Sequence, residues 1–143
     1  FIWMRISLGA DWLIWLALVV IATDVAGYFA GKTFGGPKFW PAVSPKKTWS
    51  GTIAGWVGAA VVGWFMADLL ADNVKQDWPL SPVIFSVLLA FAAQMGDIAE
   101  SYIKRRAGIK DSSNLIPGHG GLLDRLDGMI GAALMFFLVW YIL

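Results

Sequence analysis

Three stretches of the chain, 51–67, 80–96 and 128–143, contain no Asp, Glu, Lys or Arg, and a fourth, 12–31, carries no charge except Asp24. A helix needs about 17–25 mostly apolar residues to cross the hydrocarbon core of a bilayer, and flanking residues bring each stretch into that range. None of the runs alternates apolar and polar residues with period two, which argues against membrane strands. The pattern predicts spanning helices at roughly 11–33, 50–71, 81–103 and 122–143. The expected fold is all-α, a polytopic membrane helix bundle of about four transmembrane helices with two cytoplasmic loops, forming a single domain over 1–143. Composition agrees: 58% of residues are hydrophobic, 15% are charged and mean hydropathy is +0.65. A soluble domain is about 45–50% apolar and about 25% charged, so this chain lacks the polar surface to wrap its core in water. Disorder is excluded on the same grounds. With no cysteine, the chain has no disulfide, zinc–thiolate site or cysteine nucleophile. A net charge of +1 argues against a nucleic-acid partner. The N-terminus shows no signal-peptide pattern. The chain starts at Phe1 rather than Met and is apolar at both ends, so it is expected to be part of a longer protein.

Loop charge predicts orientation. The first loop carries Lys32, Lys38, Lys46 and Lys47 and no acid; the third carries Lys104, Arg105, Arg106, Lys110 and Arg125 among a few acids. The second, at 71–79, is mixed, with Asp72, Lys75 and Asp77. Basic loops stay in the cytoplasm, which puts loops one and three inside and loop two with both termini outside. Trp40, Trp49 and Trp78 fall where interfacial aromatics belong.

Carboxylates are costly inside spans and mark function there. Asp24, Asp97, Glu100, Asp124 and Asp127 all fall toward the expected cytoplasmic ends of their helices. Asp97, Glu100, Ser101 and Lys104 share a helix face, and Asp124 and Asp127 are one turn apart. Such oxygen clusters suit a hard cation such as Mg²⁺ that bridges substrate phosphates. Structural uses stay open for each acid: pairing of Asp97 with Lys104 or Arg105, pairing of Asp24 with Lys32, and helix-start roles for Asp124 and Asp127. The segment Pro117-Gly118-His119-Gly120-Gly121 precedes the fourth helix, and its glycines let backbone N–H groups approach a phosphate at the helix N-terminus. A plain turn is the alternative. The nearby lysines and arginines serve either phosphate transfer or topology and lipid attraction.

The run Ser101-Tyr-Ile-Lys104-Arg105, Lys110-Asp111, Pro117-Gly-His119-Gly120-Gly121, Asp124-Arg125-Leu-Asp127 resembles the signature of phosphatidate cytidylyltransferases (CDP-diacylglycerol synthases). Asp24-Val-Ala-Gly-Tyr28-Phe-Ala-Gly31, Ser44-Pro45-Lys46-Lys47-Thr48 before Gly51, and Gly96-Asp97 look like the same family. The resemblance covers about 24–128. One departure is Ser50, where the family usually has Glu. Members also carry several more spanning helices on the N-terminal side, so the resemblance implies a C-terminal catalytic part.

That resemblance implies a membrane nucleotidyltransferase of phospholipid biosynthesis that joins CTP and phosphatidate to give CDP-diacylglycerol and pyrophosphate. It implies Mg²⁺ held by Asp97, Asp124 and Asp127, with a second cation such as K⁺ accommodated. Catalytic roles fall to those acids and to Lys104, Arg105 and His119. Substrate contacts fall to Asp24, Ser44, Lys46, Lys47, Ser101, Lys110, Asp111, Gly120, Gly121 and Arg125. Membrane lipids are expected partners and a homodimer is among the expected assemblies. The expected location is a bacterial inner membrane with the site facing the cytoplasm. A CDP-alcohol phosphotransferase shares the opening Asp124-x-x-Asp127-Gly128, but no Ala-Arg and no later acid follow. An ion or lipid-phosphate transporter would place its acids at mid-bilayer depth. An inactive fragment of the cytidylyltransferase is the third alternative.

Overall fold

The structure is a computed structural model that describes residues 1–71, 80–109, 112 and 123–142, without the side chains of 46, 68–71 and 123–125. Its elements are α1 (Ile2–Ser7), α2 (Ala10–Phe34), β1 (Lys38–Trp40), β2 (Ser44–Thr48), α3 (Trp49–Ala71), α4 (Pro82–Arg106) and α5 (Leu123–Ile142). Helix boundaries fall within a few residues of those expected. Ala10–Phe34, Trp49–Ala67 and Pro82–Arg106 are each long and apolar enough to cross a membrane, and Leu126–Ile142 is a shorter apolar stretch. Large apolar side chains such as Ile21, Val57, Trp64, Phe65 and Leu134 face outward. Helices that are apolar all round need lipid or protein on every side.

Neighbouring helices run antiparallel, as close backbone approaches show. A Cβ on Gly27 would lie 3.2 Å from Gly51 O, and one on Gly55 would lie 3.0 Å from Thr23 O, so α2 and α3 touch along their backbones in opposite directions. Between α3 and α4, Gln94 reaches Thr52 while Gly63 abuts Pro82. Between α4 and α5, Gly96 abuts Asp127 while Phe85 stacks on Phe136 at 5.4 Å. Such an up-and-down order brings the C-terminal ends of α2 and α4 to the same end of the bundle as the starts of α3 and α5.

The two ends differ in chemistry. Trp12, Trp15, Phe85 and Phe136 fill one end with almost no exposure. Trp12 packs edge-on against Trp15 and Phe136, with ring centroids 5.5 and 5.6 Å apart. Trp15 Nε1 donates to Ser86 Oγ at 3.0 Å, satisfying a polar atom that would otherwise be stranded. Asp24, Asp97, Glu100 and Asp127 lie toward the other end, while Asp11 opens α2 at the aromatic end.

The first loop contains an antiparallel hairpin that the sequence did not suggest. Lys38 pairs with Thr48 and Trp40 with Ser44. Gly35 and Gly36, at φ +59° and +99°, turn the chain out of α2 in a region of backbone space that favours glycine. Ser50 Oγ donates to Gly35 O at 2.5 Å and lies 3.1 Å from Thr48 Oγ1. Here Ser50, at the family's usual Glu position, ties the end of α2 to the start of α3.

The orientation expected from charge has a direct test, since the chain has no native cysteine. Cysteines at Lys46 and Asn73, the latter outside the described residues, are expected to react with an impermeant thiol reagent from opposite sides of sealed vesicles. Labelling of both from one side contradicts the four-helix topology.

Candidate active site

α4 delivers Asp97, Glu100, Ser101 and Lys104 on one face because they are spaced three or four residues apart. α5 enters antiparallel and adds Asp127, whose Oδ1 accepts from Gly128 N at 2.7 Å. One carboxylate oxygen from each of Asp97, Glu100 and Asp127 lies within 4.8 Å of the others. Two lysines border the cluster. Lys47, at the end of the hairpin, pairs with Asp97 Oδ2 at 2.6 Å. Lys104 pairs with Glu100 Oε2 at 3.1 Å.

This pairing differs from the structural alternative open in the sequence. Asp97 takes Lys47, from fifty residues upstream, rather than Lys104 or Arg105. Lys104 takes Glu100, the i−4 residue. Ser101 Oγ donates to Asp97 Oδ1 at 3.4 Å.

The donor set fits a hard cation. Glu100 Oε1 is buried, and no donor reaches it among the described residues. A buried carboxylate oxygen without a partner is costly, and a bound cation removes that cost. No basic side chain pairs with Asp127 among the described residues. Among the described residues, three carboxylates against two lysines leave a local negative excess. Oxygen ligands of this kind suit Mg²⁺, which keeps waters and takes phosphate oxygens for its remaining positions. The expected metal set is Asp97, Asp124 and Asp127. Asp97 and Asp127 come together, and Glu100 joins them. Asp124 lies in the first turn of α5, with its side chain outside the described residues. Glu100 was detectable by its helical spacing from Asp97.

Two cavities adjoin the cluster. The first, about 490 Å³, lies among α2, the hairpin, α3 and α4; Asp24, Lys32, Ser44, Lys47, Gln94 and Asp97 are among its polar lining residues, with Thr52 beside Gln94. It thus gathers Asp24, Ser44 and Lys47, all expected at the site. The second, about 390 Å³, is lined by Ser101, Lys104, Arg105, Gly108 and Ile109. Ser101, Lys104 and Arg105 accordingly share a basic cavity at the end of α4. Lys46 lies in β2 with its side chain outside the described residues, as does the side chain of Arg125 in α5. Lys110, Asp111, His119, Gly120 and Gly121 also lie outside the described residues.

Comparison with known proteins concerns the sequence as a whole. The sequence profile of the cytidylyltransferase family matches residues 1–143. A phosphatidate cytidylyltransferase of Brucella suis is 46% identical over 130 residues, covering 91% of this chain and 47% of the relative. The protein of that name from Helicobacter pylori J99 is 44% identical over 135 residues, covering 94% of this chain and 49% of the relative. One from Mycobacterium bovis is 38% identical over 131 residues, covering 92% and 42%. The chain thus spans about half the length of these relatives. With its whole length matched, the chain belongs to the cytidylyltransferase family.

Proposed function

We propose that the chain carries the transferase site of an enzyme joining CTP and phosphatidate to give CDP-diacylglycerol and pyrophosphate, in a bacterial inner membrane with the site facing the cytoplasm. The observation that carries this reading is the cluster of Asp97, Glu100 and Asp127 bordered by Lys47 and Lys104. It stands at one end of an apolar bundle. A soluble nucleotide and a lipid headgroup can both reach a helix end at the interface, because headgroups lie outside the hydrocarbon core. The names of the relatives support the choice of substrates. Clustering at one end also disfavours the transporter alternative, in which acids form a path across the bilayer.

In this proposal a phosphatidate oxygen attacks the α-phosphorus of CTP, forming one P–O bond as the bond to the β-phosphate oxygen breaks and pyrophosphate leaves. Asp97, Glu100 and Asp127 would hold a divalent cation, which would supply charge neutralisation to the phosphates. Lys104 and Arg105 bind phosphate oxygens in the basic cavity. Lys47 lines the larger cavity beside Asp97, where it offers its ammonium to a second phosphate. Membranes bearing the full-length protein should incorporate labelled CTP into lipid when phosphatidate and Mg²⁺ are supplied. No incorporation above membranes lacking the protein would overturn the reading.

Arg105 and Arg106 separate phosphate binding from charge alone. Both arginines are exposed, but Arg105 lines the basic cavity, while Arg106 lies outside its lining and donates to Tyr102 Oη at 3.4 Å. A guanidinium forks across two oxygens and an ammonium does not. Arg105→Lys is therefore expected to lower turnover about tenfold, the size of one charged hydrogen bond. Arg106→Lys should be near neutral, with topology unchanged in both. Equal, negligible effects at the two positions would leave these arginines only a topological role.

A further inference from the structure

Gln94 lies in α4 one turn before Asp97 and is buried. Both ends of its amide are in use. Oε1 accepts from Trp56 Nε1 at 3.0 Å, and Nε2 donates to Thr52 O at 3.3 Å. An indole N–H only donates and a carbonyl only accepts, so a carboxamide satisfies both where a carboxylate or a thioether cannot. A Cβ on Gly55 would come within 2.8 Å of Nε2, so the glycine leaves the space the amide fills. These bonds hold the first two turns of α3 against α4.

The same contacts extend to Lys47. Thr52 Oγ1 donates to Thr48 O at 3.0 Å, anchoring the residue that follows Lys47. Lys47 Nζ then donates to the backbone oxygen of Gln94 at 3.2 Å and pairs with Asp97 at 2.6 Å. A lysine stem has four rotatable bonds, so its head is held only if its backbone is placed correctly. Trp56, Gln94 and Thr52 are neutral and lie outside the acid cluster, yet they set the height of α3 on α4 and with it the reach of Lys47.

We propose that Gln94 is a positioning residue whose buried amide clamps α3 onto α4 and thereby seats the Lys47 ammonium on Asp97. The kinetic consequence rests on the transferase reading; the placement does not. The test therefore has two arms, both in the full-length protein. In the first, native protein in detergent is treated with limiting acetic anhydride, and lysine acetylation is read by mass spectrometry. Gln94→Met should raise acetylation of Lys47 relative to exposed Lys38 by about three- to tenfold, within the lower part of the range of pairwise coupling between contacting residues. Trp56→Phe removes one hydrogen bond and keeps a ring, so it should move the same ratio less, and it serves if Gln94→Met fails to fold. In the second arm, Gln94→Met should lower kcat about ten- to a hundredfold through misplacement, and should lower it no further when Lys47 is already Met. An unchanged acetylation ratio in the folded variants, or kcat losses that multiply in the double variant, would overturn the proposal. Wild-type protein without cytidylyl transfer would count against the transferase reading alone, and the acetylation ratio would still decide the placement of Lys47.

Discussion

Asp127→Asn is expected to reduce cytidylyl transfer about a thousandfold or more, the scale of losing several kcal/mol of charge stabilisation at a metal-assisted centre. The amide keeps the size of the carboxylate and removes its charge. Asp97→Asn should do the same and also release Lys47 from its ion pair. Glu100→Gln belongs with them: among the described residues no donor reaches its buried Oε1, and its Oε2 holds Lys104. Membrane insertion should be normal in all three, because removing charge from a helix end lowers the cost of burial. Binding of Mn²⁺, followed by electron paramagnetic resonance, gives a readout independent of turnover. The three variants should each lose most of the bound Mn²⁺ signal at a concentration that loads the wild type. Wild-type activity or wild-type Mn²⁺ binding in any one of them removes that acid from the proposed ligand set.

Gly96→Ala is expected to be nearly as damaging, for a steric reason. The added Cβ would sit 2.6 Å from the carbonyl oxygen of Asp127 and 3.1 Å from Gly131 Cα. Both obstacles are backbone, so α5 must move as a body. Overpacking of this kind costs about 1–3 kcal/mol. A displacement of the carboxylates by about 1 Å is expected to lower the rate about a hundredfold. Gly128→Ala is the matched control, beside Asp127 in the same helix pair. Its Cβ would meet Ala93 O at 3.5 Å, an ordinary contact, so activity should stay close to wild type. Turnover in membranes and thermal unfolding in detergent, measured for both variants, decide the point. Equal behaviour of the two would mean that the close approach of α4 and α5 does not set the geometry of the acid cluster.

The helices were legible because charge-free runs of this length have few other uses. Asp97 and Asp127 stood out because acids are costly at the ends of such runs. Glu100 was visible in the three-residue spacing from Asp97, yet the family resemblance directed the ligand set to three aspartates. The Lys47–Asp97 pair was not legible. Helical spacing reports partners three or four residues away, and this contact joins residues fifty apart through the antiparallel approach of α3 and α4. The hairpin was hidden for a different reason. Pro37, Pro41 and Pro45 read as loop punctuation, and strands as short as Lys38–Trp40 carry no periodicity to detect. Gln94 was the least visible. It is one neutral residue in an apolar run, and its role arises only where Trp56 and Thr52 meet it.

The most direct measurement follows the phosphates of CTP. Membranes containing the full-length protein are supplied with phosphatidate and Mg²⁺, and with CTP labelled at either the α- or the γ-phosphate. Attack on the α-phosphorus should carry the α-label into chloroform-soluble lipid and release the γ-label as pyrophosphate, and Asp127→Asn should abolish both. Recovery of the γ-label in lipid, or undiminished α-label transfer by Asp127→Asn, would contradict nucleotidyl transfer at the Asp97–Glu100–Asp127 cluster.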